Sequence, residues 1–127
     1  MIIGVGIDLV EIERIRDALD RHGERFAHRI LSTAEYADWT AVSEALRARF
    51  LAKRFAAKEA FSKAAGTGIG RGFGFQDLSV AHDVLGKPAI QCNVDNRTLA
   101  EFSDCQVHLS LTDERSLAGA YCMIERL

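Results

Sequence analysis

The sequence is poor in anything that would staple or anchor it from outside a core. Its 127 residues include one proline, Pro88, and three cysteines, Cys92, Cys105 and Cys122. The cysteines are odd in number, widely spaced and free of any C-x-x-C pair. Neither a disulfide framework nor a zinc or redox pair is indicated, and buried reduced thiols are expected. No apolar run is long enough to span a bilayer. The opening M-I-I-G-V-G-I-D has no basic residue ahead of its apolar stretch, and Asp8 cuts that stretch short. It reads as neither a signal peptide nor a membrane span, so a cytoplasmic protein is expected.

An excess of one charge is also missing. Sixteen basic and 18 acidic residues leave a net charge of −2, which gives no whole-chain reason to expect nucleic acid. Electrostatic recognition must be local. What is present is ordinary for a globular protein: 48% hydrophobic and 27% charged residues, with no linker, repeat or low-complexity segment. One domain covering residues 1–127 is expected, burying roughly two thirds of its unfolded surface.

The first half reads as one strand followed by helices. Ile2 to Val10 is apolar and β-branched. Glu11 to His22 carries Ile12, Ile15 and Leu19 at helical spacing, and Gly23 suits its C-cap. A second short helix is expected over Glu24 to Leu31. Ser32 and Glu35 form an S-x-x-E capping box that opens a third. A long helix is predicted from Glu44 to Ala65, capped by Ser43 and ended by Gly66. At about 100° per residue, Leu46, Phe50, Ala57, Phe61 and Ala64 share one side, while Ala48, Ala52, Phe55 and Ala56 share the other. Such a helix is apolar on two sides and therefore central and largely buried. The second half turns to period two. Strands are predicted over Phe75–Ala81, Pro88–Val94, Gln106–Thr112 and Ser116–Ile124, with a short helix ending near Phe102. In the third of these strands His108, Ser110 and Thr112 form a polar row. The fold class is α+β, with antiparallel pairing.

The segment R-F-A-A-K-E-A-F-S-K-A-A-G-T-G-I-G, Arg54 to Gly70, carries the clearest chemical signal. A helix bearing Lys58, Glu59 and Lys63 runs into a glycine-rich loop containing Gly66, Gly68 and Gly70. Backbone N–H groups beside Arg54, Lys58 and Lys63 suit a phosphate-rich ligand. The loop is no Walker motif, because it follows a helix and lacks the G-K-[ST] ending. Asp8 interrupts an apolar strand at its end, where a lone buried carboxylate is costly. It reads either as a cap for the following helix or as a metal ligand with Glu59. Glu59 itself reads either as that ligand or as an i,i+4 ion-pair partner of Lys63. Arg14, Arg21, Arg25 and Arg29 offer a local basic surface, which reads either as a solvated face or as a dock for an acidic partner.

These residues resemble a known family. G-I-D-L-V-E-I-E-R-I at Gly6–Ile15, R-F-A-x-R-I-L at Arg25–Leu31, the Arg54–Gly70 segment, F-x-D-L at Phe75–Leu78, G-K-P at Gly86–Pro88 and H-L-S-L-T-D at His108–Asp113 are similar to the small bacterial holo-[acyl-carrier-protein] synthases, which are 4′-phosphopantetheinyl transferases. The likeness spans essentially the whole chain. It implies a homotrimer with active sites between protomers, and transfer of 4′-phosphopantetheine from coenzyme A to a serine of an apo-acyl carrier protein in support of fatty acid biosynthesis. It implies Mg²⁺ held by Asp8 and Glu59, with Lys63 beside it as a catalytic charge. It further implies coenzyme A contacts from Arg54, Lys63, Gly66, Gly68, Gly70 and His108, and carrier docking on Arg14, Arg21, Arg25 and Arg29. Many relatives carry His where this chain has Asp113, and Asp113 is not carried over as a site residue. The alternatives are a non-enzymatic module binding an acidic protein through its arginines, and a nucleotide-binding regulator using the glycine loop.

Overall fold

Gly4 and Gly6 determine how the chain packs. In the computed structural model, which describes all residues from Met1 to Leu127, they lie on the strand face turned toward the long helix. The strand is β1, Ile2–Glu11, and the helix is α4, Glu44–Ala65. A Cβ on Gly6 would lie 2.0 Å from the Ala60 carbonyl oxygen, and one on Gly4 1.8 Å from that of Ala64. Only glycine on the strand allows the two backbones to lie this close.

Between β1 and α4 run α1 (Ile12–His22), α2 (Glu24–Ile30) and α3 (Thr33–Ala41). Gly23 separates α1 from α2, and its N–H closes α1 on Leu19 O at 2.7 Å. Ser32 opens α3 with the full capping box, reciprocated by Glu35. Gly66, at φ 86°, ends α4 in the left-handed conformation that glycine favours. After α4 come β2 (Leu78–His82), β3 (Pro88–Cys92), β4 (Cys105–Asp113) and β5 (Leu117–Arg126). All pairings are antiparallel: one sheet is ordered β1-β5-β4, and β2-β3 forms a separate hairpin. The α+β architecture with its central helix is as the sequence predicts.

α4 is buried nearly all round. Ala48, Leu51, Ala52, Ala56, Ala57, Ala60, Phe61 and Ala64 all lie in the core. Three expectations are corrected. Leu46, predicted inward, is 53% exposed, because it lies in the first turn of α4, where Glu44 and Ala45 are exposed with it. Ser43 precedes α4 without making a side-chain cap. Phe75–Asp77 is a 3-10 turn and not strand, because Asp77 folds back to accept from the Gly74 N–H at 2.9 Å.

The other face of the three-stranded sheet has no cover within the chain. Val5, Ile7 and Leu9 on β1 are 54%, 69% and 66% exposed. In register they continue into Met123 and His108, into Tyr121 and Ser110, and into Gly119 and Thr112. Asp8 alternates to the opposite face, against α4.

Gly6→Ala should destabilise the fold by ~2–3 kcal/mol, because the new methyl meets backbone that cannot move aside. Gly119→Ala, whose Cβ would meet side-chain methyls at 3.3 Å and no backbone atom nearer than 3.6 Å, should cost clearly less. Urea midpoints for the two variants check this, and equal midpoints would refute the close strand–helix contact.

Candidate active site

Because β1 lies so close to α4, the residue after Gly6 and Ile7 is brought over the last turns of the helix. Lys63 Nζ donates to Asp8 Oδ1 at 3.0 Å and to the Ile7 carbonyl oxygen at 3.0 Å. Asp8 is 14% exposed at its side chain and Lys63 51%. Asp8 caps no helix: the N-cap of α1 is Glu11, which makes no side-chain cap. Nor does Lys63 pair with Glu59, since its salt bridge is to Asp8. Both structural readings open from the sequence are thereby set aside.

Glu59 lies one turn before Lys63 on the same side of α4. Burial pushes its pKa up, the neighbouring Asp8 charge pushes it further, and Lys63 pulls it partly back. Two carboxylates are thus held together with one ammonium between protein and solvent. Asp8 Oδ2 is buried and has no hydrogen-bond partner. An orphaned carboxylate oxygen beside a second carboxylate fits a hard divalent cation such as Mg²⁺, which takes one or two carboxylates and draws its other ligands from water and substrate phosphates. No group of three or more His, Cys, Asp or Glu side chains stands ready to hold a metal, so a cage built from protein alone is not on offer.

The glycine loop begins one turn beyond Lys63, but its backbone is not bare. The N–H groups of Gly66, Thr67 and Gly68 donate to Ser62 O, and that of Gly70 to Phe73 O. The reading of Gly66, Gly68 and Gly70 as open N–H donors is corrected for this conformation: the helix end folds back and consumes them. Lys58 is likewise not at the loop surface. It is wholly buried and bonded to Glu35 at 2.5 Å. Arg54 is nine residues from Lys63, about half a turn round the helix. Its guanidinium stacks over Phe50 at 4.3 Å, and its Nε approaches Glu35 Oε2 at 3.3 Å. In one chain, Arg54 does not meet the Asp8–Glu59–Lys63 cluster.

His108 does not meet it either. Asp8 pairs through Ala120 with Leu111, three residues from His108 in β4, so His108 points out of the opposite sheet face. There its Nε2 contacts Glu125 Oε1 at 3.1 Å. Asp113 is on the helix side, bridged to Arg49 at 2.9 Å and to Lys53 at 3.5 Å. It holds the β4–β5 turn against α4.

Of the four arginines, Arg14 and Arg21 line one groove of about 340 Å³ with Val10, Ile15, Phe26 and Phe55. The break at Gly23 puts Arg25 outside that groove, and Arg29 lines a different one, beside Ile69 and Phe75.

The model of the 4′-phosphopantetheinyl transferase superfamily matches residues 4–122. The chain belongs to that superfamily. It is 48% identical to the holo-[acyl-carrier-protein] synthase of Bacillus velezensis, covering all of this chain and 98% of that one. It is 49% identical to the Azoarcus sp. enzyme of the same name, over 98% of each. Among solved structures, the Neisseria meningitidis holo-[acyl-carrier-protein] synthase superposes with a TM-score of 0.90 at 38% identity, over 99% of this chain and 100% of that one. The Bacillus anthracis enzyme, solved in complex with CoA (3′,5′-ADP), gives 0.87 at 37%, over 100% and 99%. This family member is an enzyme, a phosphopantetheinyl transferase, and the non-enzymatic readings are set aside.

The raised Glu59 pKa has a testable sign. The folded state holds that proton more tightly than the unfolded state. Stability is therefore lost as pH rises from below the ordinary value of 4.5 through the raised folded one. In metal-free buffer Glu59→Gln should melt above wild type at neutral pH, and the gap should close in acid. Thermal melts across this range check it; a gap that persists unchanged below pH ~4 would contradict it.

Proposed function

We propose that this enzyme transfers 4′-phosphopantetheine from coenzyme A to a serine hydroxyl of an apo-acyl carrier protein, releasing 3′,5′-ADP. The observation that carries the proposal is the orphaned Asp8 Oδ2 beside Glu59 and Lys63, in a chain whose full-length relatives are named for that reaction. Asp8 and Glu59 would hold Mg²⁺, which when bound neutralises the pyrophosphate of coenzyme A. Lys63, half exposed at the edge of the cluster, orients Asp8 and presents a fixed positive charge where the leaving phosphate gains negative charge. Glu59 is also the candidate to take the serine proton. The carrier docks with its acidic surface on Arg14 and Arg21, and Arg25 and Arg29 extend the positive field beyond the groove. These substrates place the reaction in the cytoplasm, in the supply of carriers for fatty acid biosynthesis.

The site is completed by other copies of the chain. The sheet that supports Asp8 separates it from His108, and half a turn of α4 separates Arg54 from Lys63. For His108 or Arg54 to reach the same coenzyme A, a neighbouring protomer must supply them. The uncovered Val5, Ile7, Leu9 and Tyr121 face supports such an assembly, since contiguous exposed apolar surface marks a protein interface. A homotrimer with sites between protomers is the arrangement we propose.

Incubation with coenzyme A, Mg²⁺ and an apo-carrier should add a phosphopantetheine mass to the carrier, and Asp8→Ala should cut the rate roughly a hundredfold or more. No added mass would refute the proposal. Mixing inactive Asp8→Ala with inactive His108→Ala should restore part of the activity, whereas mixing Asp8→Ala with a Lys63 variant should not, because one chain supplies both. Recovery in the second mixture, or an active monomer by light scattering, would end the shared-site reading.

Arg14→Glu should raise KM for the carrier about tenfold or more and leave coenzyme A affinity unchanged. Arg25→Glu, outside the groove, should do less. The reversal should also flatten the salt dependence of the rate, since the charges involved are screened over about 8–10 Å. Equal losses for carrier and coenzyme A would remove Arg14 from the docking surface.

A further inference from the structure

The most heavily bonded charges in the molecule lie outside the Asp8 cluster. Lys58 and Glu35 are 0% and 1% exposed at their side chains. All three ammonium protons have an acceptor: Ile30 O at 2.7 Å, Glu35 Oε1 at 2.5 Å and Phe75 O at 3.0 Å. Glu35 Oε1 also accepts from Ser32 N at 3.0 Å, and Oε2 from Val80 N at 2.9 Å. Arg54 Nε stands 3.3 Å from Oε2. One ion pair therefore ties the end of α2, the start of α3, the middle of α4, the 3-10 turn at Phe75 and strand β2.

Its place along the chain matters. The glycine loop leaves α4 at Gly66, one turn beyond Lys63. It is caught again at Phe75 by Lys58, whose backbone neighbour is Glu59. The two ends of the loop are thus fixed to the helix that carries Glu59 and Lys63. Burial lowers the Lys58 pKa and Glu35 raises it back, so the ammonium is costly to keep here. Apolar residues of similar volume usually fill such a place at no loss of stability, and stability alone gives no reason for the pair.

We propose that Glu35 and Lys58 are positioning residues: they fix the middle of α4, and the glycine loop that leaves it, so that Glu59 and Lys63 meet the phosphates of coenzyme A in register. The inference rests on the proposed coenzyme A reaction.

The test uses Lys58→Met and the double variant Glu35→Gln/Lys58→Met, read by melting temperature, coenzyme A titration calorimetry and steady-state transfer. The single variant leaves a buried carboxylate short of its partner and should melt lower. The double variant removes both charges and keeps an amide oxygen to accept from Val80 N, so its melting temperature should rise above that of the single variant. Its Kd and KM for coenzyme A should nonetheless stay raised roughly tenfold, with the KM for carrier within about twofold of wild type. Recovery of coenzyme A affinity together with the melting temperature would make the pair merely structural. So would an equal rise in carrier KM, or failure of both variants to fold. Failure of the wild-type protein to transfer phosphopantetheine would instead refute the proposed function.

Discussion

The close approach of β1 to α4 is the contact on which the rest of the site depends. Asp8 is on a strand and Glu59 and Lys63 are on a helix more than fifty residues away. They meet because Gly4 and Gly6 have no side chain to hold β1 off the α4 backbone. A side chain at Gly4 or Gly6 would meet the α4 backbone, lift the strand and carry Asp8 away from the ammonium it now touches at 3.0 Å. The same closeness excludes water from Asp8 Oδ2 and leaves it without a partner. Backbone packing thus creates an unsatisfied acceptor, and in an enzyme an unsatisfied buried acceptor is a place for a ligand.

The chain uses its charges in two ways. In the core, Glu35 and Lys58 are fully bonded and fixed, holding elements to one another. At the sheet edge the Asp8–Glu59–Lys63 cluster is only partly satisfied: Asp8 Oδ2 is buried without a partner, and Lys63 stays open to solvent. Lys58 and Glu59 are neighbours in sequence, so a single step along α4 crosses from the structural set to the chemical one. This is why the helix is apolar on two sides and yet carries so many ionisable groups.

Much of this was legible in the sequence. β1, the break at Gly23, the Ser32 capping box, the span of α4 and its Gly66 cap all follow from local rules, and the structure shows them. So does the sharing of one side of α4 by Glu59 and Lys63, because helical spacing alone decides it. Properties that depend on distant segments could not be read in this way. Glu35 satisfied a capping box with one oxygen, and nothing local marks that its other oxygen is buried beneath β2. Lys58 looked like its neighbour Lys63, and only the positions of Ile30 and Phe75 turn it inward. The glycines suggested open N–H groups, but the helix end uses them. That His108 and Asp8 lie on opposite sheet faces needs the register of three strands, which no single strand's alternation supplies.

We propose that one chain's Asp8 and Glu59 together hold the divalent metal that engages coenzyme A. Crystals grown with coenzyme A and Mn²⁺ in place of Mg²⁺ test it directly, because anomalous scattering locates the manganese without reference to the protein. A single strong peak per chain is expected, beside Asp8 Oδ2, the Glu59 carboxylate and the pyrophosphate. A manganese bound elsewhere, or coenzyme A seated with no metal between it and these two carboxylates, would contradict it.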